Sequence, residues 1–157
     1  MVKTCAAHVA STGRTWTGQL GIASEQHLPG LTRLADGLRG TATRSIVPLH
    51  HGGRRADPAL AGHLIAPFDD PNTGAVKMTV DDVQHMVADY VAAAVRVEQA
   101  GFDGSRSTAR TGSCWRSSRT SATNGLTGTA ALWTTGCTRT VCFACVRSAI
   151  GTEPCGC

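Results

Sequence analysis

Ser45-Ile46-Val47-Pro48-Leu49-His50-His51-Gly52-Gly53-Arg54-Arg55 is the stretch on which the reading of this chain turns. Ser45 to His50 is a short apolar run after a polar connection, the pattern of a buried strand. His51 to Arg55 then form a glycine-rich turn that sets imidazole and guanidinium groups at the strand's C-terminal end.

Toward the N-terminus, Val2 to Ala10 are β-tolerant and Ser11-Thr12-Gly13-Arg14 reads as a loop, which predicts another strand feeding a turn. Cys5 is expected to be a small buried thiol. Between these strands, Ser24 can cap a helix with Glu25 in its first turn. Leu28, Leu31, Leu34, Ala35 and Leu38 follow at helical spacing, Pro29 fits near the start, and Gly40 supplies a stop. Toward the C-terminus, Ala56 to Met78 read as a long irregular stretch, with Pro58, Pro67, Pro71 and Asn72-Thr73-Gly74.

Thr79 and Asp82 make a capping box that opens a second helix, and Gly101 closes it. Its apolar stripe is Val83, Met86, Val87, Tyr90, Val91, Ala94 and Val95, a core-facing stripe. Phe102 starts the next strand. Strand and helix in alternation predict parallel βα units. Ligands of such folds sit at the C-terminal ends of the strands, where His50, His51 and Arg54 fall.

The 157 residues suit one domain, but their character changes at Gly104. Up to that point Lys and Arg number 9 and Asp and Glu 10; beyond it six Arg face the single acid Glu153, so the net charge of +4 is −1 plus +5. Only Cys5 precedes the divide and six cysteines follow it. The start lacks the apolar segment of an export signal, and nowhere are there the ~18 uninterrupted apolar residues of a membrane span, which predicts a cytoplasmic protein with reduced thiols and no membrane partner.

Three segments together resemble the Old Yellow Enzyme group, the NADH:flavin oxidoreductases. They are Leu49-His50-His51-Gly52-Gly53-Arg54, then Glu98-Gln99-Ala100-Gly101-Phe102-Asp103-Gly104, and Gly21 through Gly30. The resemblance covers about residues 1–104. It implies part of an FMN-dependent (β/α)8 TIM barrel, with about three strands and two helices, that uses NAD(P)H to reduce activated alkenes or related small-molecule acceptors. By the same resemblance the chain begins near the family's second strand. Ala6 falls where that strand approaches the flavin, and Pro48 where the family usually has a Gln bonded to the flavin's pyrimidine edge. Proline has neither an N–H nor a side-chain amide to offer. His51 and Arg54 match the family's His-x-Gly-Arg. Arg54 suits either a phosphate or carboxylate or a structural ion pair, and the paired histidines suit either a place beside the flavin or an exposed turn. The implied cofactor-binding set is thus Ala6, Pro48, His51 and Arg54, with no catalytic residue and no metal ligand.

After Gly104 the family continues with a strand of the type VEIHGAHG, whose polar pair holds the substrate's oxygen. Here Ser105-Arg106-Ser107-Thr108-Ala109-Arg110-Thr111-Gly112 stands instead, and no histidine follows His85. Residues 105–157 hold eleven Thr, seven Ser, six Arg and six Cys, an unusual mixture for a core or for ordinary disorder. The genetic code offers an explanation. Gly104 to Gly112 can be encoded GGG TCG AGA TCC ACG GCG CGC ACG GGN, which one frame away reads GTC GAG ATC CAC GGC GCG CAC GGG, or VEIHGAHG. Ser113 to Ser118 can likewise yield LLAQF, and Ala122 to Gly136 NQRTDGYGGSLDNR, in family order with the spacer one residue short. Residues 105–157 are therefore expected to be an out-of-frame tail of low order, and the chain an inactive fragment.

Two other readings of the tail compete. Cys142-Phe143-Ala144-Cys145 with Cys155-Gly156-Cys157 has thiol spacing of a zinc or redox type, although the second pair is too close for a normal knuckle. Six dispersed Arg with Trp115 and Trp133 could meet nucleic acid, a weak footprint without lysine. The shifted frame accounts for both compositions without selection, so neither metal nor nucleic acid is expected.

Overall fold

A computed structural model describes residues 1–41 and 43–107. The Cys and Trp patterns of the tail, and the shifted-frame strings from Thr108 onward, lie outside them.

The main sheet has three parallel lanes. The first holds β1 (Val2–Lys3) and β2 (Ala7–His8), the second β3 (Ser45–His50). Val2 stands beside Ser45 but Ala7 beside Leu49, so the offset falls from 43 to 42 and the first lane carries one extra residue between its halves. The single strand expected over Val2 to Ala10 is thus broken by a bulge-like insertion at Thr4 to Ala6. Cys5 lies in that break, outside the paired positions, and is exposed, which corrects the expected buried thiol.

Helix α1 (Leu28–Arg39) crosses between these lanes. A 3₁₀ turn, Glu25–His27, leads into it, with the Ser24 N–H donating to Nδ1 of His27 at 3.3 Å. Ser24 therefore starts a turn that the helix continues, and Pro29 sits in the helix's first turn, where an N–H is not missed. Gly40 follows the last helical residue in right-handed conformation, so it is not a left-handed cap.

Past β3 the stretch expected to be irregular contains α2 (Pro58–Ala61) and a two-stranded parallel sheet, β4 (Ile65–Ala66) with β5 (Val76–Lys77). Its small core is Ala56, Ala61, Leu64, Ala66 and Ala75. Such short elements with alanine-rich cores leave no periodicity long enough to detect.

Helix α3 (Val80–Gln99) starts at the expected capping box, the Thr79 N–H donating to Asp82 at 2.8 Å and the Asp82 N–H to the Thr79 hydroxyl at 3.1 Å. It ends at Gly101, whose φ of +88° is the left-handed conformation that glycine adopts without strain. The buried line on α3 is Met86, Tyr90, Ala93, Ala94 and Val97. Val91 and Val95 pack at its margin, so the stripe is rotated from the expected one toward the small residues that let the helix approach the sheet.

The third lane is β6 (Gly104–Ser107), parallel to β3, with Ile46 beside Gly104 and Leu49 beside Ser107. The sheet thus continues three residues past the compositional divide. Asp103 ties the two strand starts, its carboxylate accepting from the Ser45 N–H at 2.7 Å and hydroxyl at 3.0 Å. On β3, Ser45, Val47 and Leu49 are buried and Ile46, Pro48 and His50 half-buried. Val47 and Leu49 share one core with Ala7, Val9, Ile22, Leu31, Ala35 and the α3 line. Burying each such aliphatic side chain contributes about 1.5–3 kcal/mol. The alternate face of β3 carries Ile46, Pro48 and His50.

Candidate functional site

The three lanes meet at one level near their C-terminal ends. Pro48 stands beside Arg106, and Ala6 immediately precedes Ala7, which stands beside Leu49. Side chains in parallel register share a face, so Pro48 and Arg106 look the same way as Ile46 and His50. Arg106 is exposed there and Ala6 is half-buried. The Ala6 carbonyl accepts from Nε2 of Gln19 at 3.3 Å, while Oε1 of Gln19 accepts from the Thr15 N–H at 2.7 Å.

His51 follows β3 and is only 2% exposed, so it is not on an open turn. Its Nδ1 accepts from the Gly53 N–H at 3.1 Å, and Nε2 lies 3.3 Å from the Thr12 hydroxyl. Its ring lies so close to Gly13 that a Cβ there would fall 2.5 Å from it. Burial, then neighbouring His50, lowers the His51 pKa from 6.5 to about 4, so the ring is neutral at neutral pH. Burial also lowers His50.

Arg54 sits in the next 3₁₀ turn, Gly53–Arg55. Its Nη1 donates to Asp70 at 3.1 Å and its guanidinium lies 5.9 Å from the Phe68 ring centre. Asp70 also accepts from the Asn72 N–H at 3.1 Å. Burial opposes ionisation of Asp70, but the Asn72 N–H and Arg54 outweigh it and hold its pKa below the usual value. Of the two roles open to Arg54 in the sequence, the structure displays the ion pair.

The structure therefore sets Ala6 just before β2, Pro48 within β3, and His51 and Arg54 in the turn that follows, with Arg54 held toward Asp70. Thr12, Gln19, Asp70 and Arg106 escaped the sequence reading. Only Asp70, before Pro71-Asn72, carried a local turn signal. Another omission is His8, beside His50 in register and 7% exposed, with Nδ1 lacking a partner. Its ring meets His27 edge to face at 5.7 Å, and burial followed by His27 lowers its pKa. A cavity of about 180 Å³ behind the turn is lined by Thr12, His51, His63, Asp82, His85 and Asp89 among others. No group of three His, Cys, Asp or Glu that could hold a metal ion exists among the described residues. None of their helices is long and apolar enough to cross a membrane.

Residues 1–106 match the NADH:flavin oxidoreductase / NADH oxidase family. The chain belongs to this family. An NADPH dehydrogenase of Listeria monocytogenes is 35% identical over 102 residues, which are 62% of this chain and 30% of that protein. An NADH:acrylate oxidoreductase of Vibrio harveyi is 32% identical over 105 residues, 62% of this chain and 10% of that protein. The Old Yellow Enzyme homologue of Zymomonas mobilis superposes with a TM-score of 0.62 at 22% identity, covering 67% of this chain and 34% of that one. The described residues are part of an Old Yellow Enzyme-type (β/α)8 barrel, and the chain spans about 30% of the length of the NADPH dehydrogenases it matches.

This NADH:flavin oxidoreductase family is FMN- and NAD(P)H-dependent. At the level where the resemblance sets the flavin, Pro48 offers neither an N–H nor a side-chain amide. Pro48 does not fit the hydrogen-bonding edge of FMN.

Proposed function

We propose that residues 1–104 are the strand-end wall of an FMN-binding, NAD(P)H-dependent oxidoreductase barrel of the ene-reductase type. Its reaction is hydride transfer to activated alkenes or related small-molecule acceptors, and the 157-residue chain itself does not perform it. The lineage rests on the family match, with Pro48 on the central strand of a parallel sheet and the His51 to Arg54 turn beyond it. In a barrel competent for catalysis, Ala6 and Pro48 would face the flavin, and His51 and Arg54 would shape the turn beside it. The relatives named for NADPH and acrylate support reductant and acceptor of these classes.

The observation that carries inactivity is Ser105. It is fully buried beside Val47 with no partner for its hydroxyl among the described residues, while Arg106 stands next to Pro48 on the alternate face. A buried position beside Val47 suits an aliphatic side chain, and an orphaned hydroxyl there costs about 1–3 kcal/mol. Read with the codon argument, this supports a reading-frame change at codon 104 or 105, with residues 105–157 its product.

Two measurements test the proposal. The purified full chain, mixed with FMN and desalted, is expected to be colourless and to oxidise no NADH or NADPH with an enone acceptor; retained flavin that bleaches with NADPH would overturn the inactivity. Sequencing both strands of the gene across codons 100 to 115 is expected to show the VEIHGAHG string one frame away, and its absence would remove the frame-change reading.

A further inference from the structure

Thr12 lies in a 3₁₀ turn, Ser11–Gly13, directly after the first lane, and nothing in its sequence context marks it. Its hydroxyl meets Nε2 of His51 at 3.3 Å, on the wall of the 180 Å³ cavity. The other ring nitrogen decides the direction of that bond. Nδ1 accepts from the Gly53 N–H, so it carries a lone pair and no proton. In a neutral imidazole the proton is then on Nε2, and Nε2–H donates to the Thr12 oxygen.

We propose that Thr12 is a positioning residue that locks His51 in its Nε2–H tautomer and, through Nδ1, pins the turn that carries Arg54 to Asp70. The first lane and the end of β3 are also joined by the Gly52 N–H donating to the Gly13 carbonyl at 2.8 Å and the Asp57 N–H to the Arg14 carbonyl at 3.0 Å. The imidazole thus closes a clasp that main-chain bonds begin, and Gly13 leaves room for the ring. Groups facing His51 are His50 at the end of β3, His63 ahead of β4, and Asp82, His85 and Asp89 on α3. The proposal does not depend on flavin binding, because every atom it uses is in the described chain.

Nitrogen-15 imidazole spectra of the full chain test it, with His51 assigned from a His51→Gln variant. The expected His51 pattern has Nε2 protonated and Nδ1 bare, unchanged from pH 6.5 down toward about 4. Thr12→Val is expected to shift the Nε2 resonance and speed exchange of the Gly53 amide roughly ten-fold, about what losing one buried hydrogen bond amounts to. Thr12→Ser is expected to restore both. A wild-type ring protonated on Nδ1, or titrating near 6.5, would overturn the proposal whether or not the variants fold. So would unchanged His51 and Gly53 signals in a folded Thr12→Val protein.

Discussion

Ser105 stands beside Val47 in parallel register, with no solvent exposure and no partner for its hydroxyl among the described residues. The main chain there behaves as a barrel strand while the side chain contradicts one. Ser105→Ala removes the orphaned group without adding volume and is expected to raise unfolding stability by about 1 kcal/mol. Urea unfolding of both proteins checks this, and a fall in the midpoint would show that the hydroxyl is bonded.

Pro48→Gln introduces a side-chain amide and a backbone N–H at the level of Arg106. The variant is expected to quench added FMN fluorescence at lower protein concentration than the parent chain, by about ten-fold for one good hydrogen bond. Equal curves for the two proteins would move the flavin edge away from Pro48.

Stability should fall in mild acid because of His51. The unfolded chain binds a proton at 6.5, whereas the folded ring resists until about 4, owing to burial and then His50. The unfolded state therefore holds more protons inside that window: stability is full above 6.5, declines as pH drops, and levels off below about 4. The whole window is worth about 3 kcal/mol at ~1.4 kcal/mol per pH unit. Burial lowers His8 and His50 in the same direction. Asp70, Asp82 and Asp103, all held below 3.8, add their losses only at lower pH. Unfolding midpoints across the window check this, and His51→Gln should flatten most of the slope in a variant that still folds.

Asp70→Asn should free Arg54 from its ion pair while keeping a side chain able to accept from Asn72. The expected outcome is a lower melting temperature and faster proteolysis within residues 56–78, and Arg54→Ala in the same background should add less than it does alone. Additive effects in that cycle would mean that the pair contributes nothing to holding the segment.

Long periodic elements were legible in the chain. The β3 limits, the α3 capping box and its stop at Gly101 follow from local chemistry within a few residues. What escaped depended on partners far along the sequence. No local rule announces that one residue too many lies between Lys3 and Ala7, because that count exists only against Ser45 to Leu49. Cys5 was misplaced for the same reason. In the candidate site, His51 and Arg54 could be read from their turn, but their companions Thr12 and Asp70 are 39 and 16 residues away. The β4–β5 unit is held by alanines too short a run to show a period.

The pairing of β6 with β3 has a wider consequence. A strand is recruited through main-chain N–H and C=O groups, which every residue except proline carries in full. Gly-Ser-Arg-Ser can therefore dock where a hydrophobic strand belongs. Pairing in a sheet is thus far less selective about side chains than a binding site is.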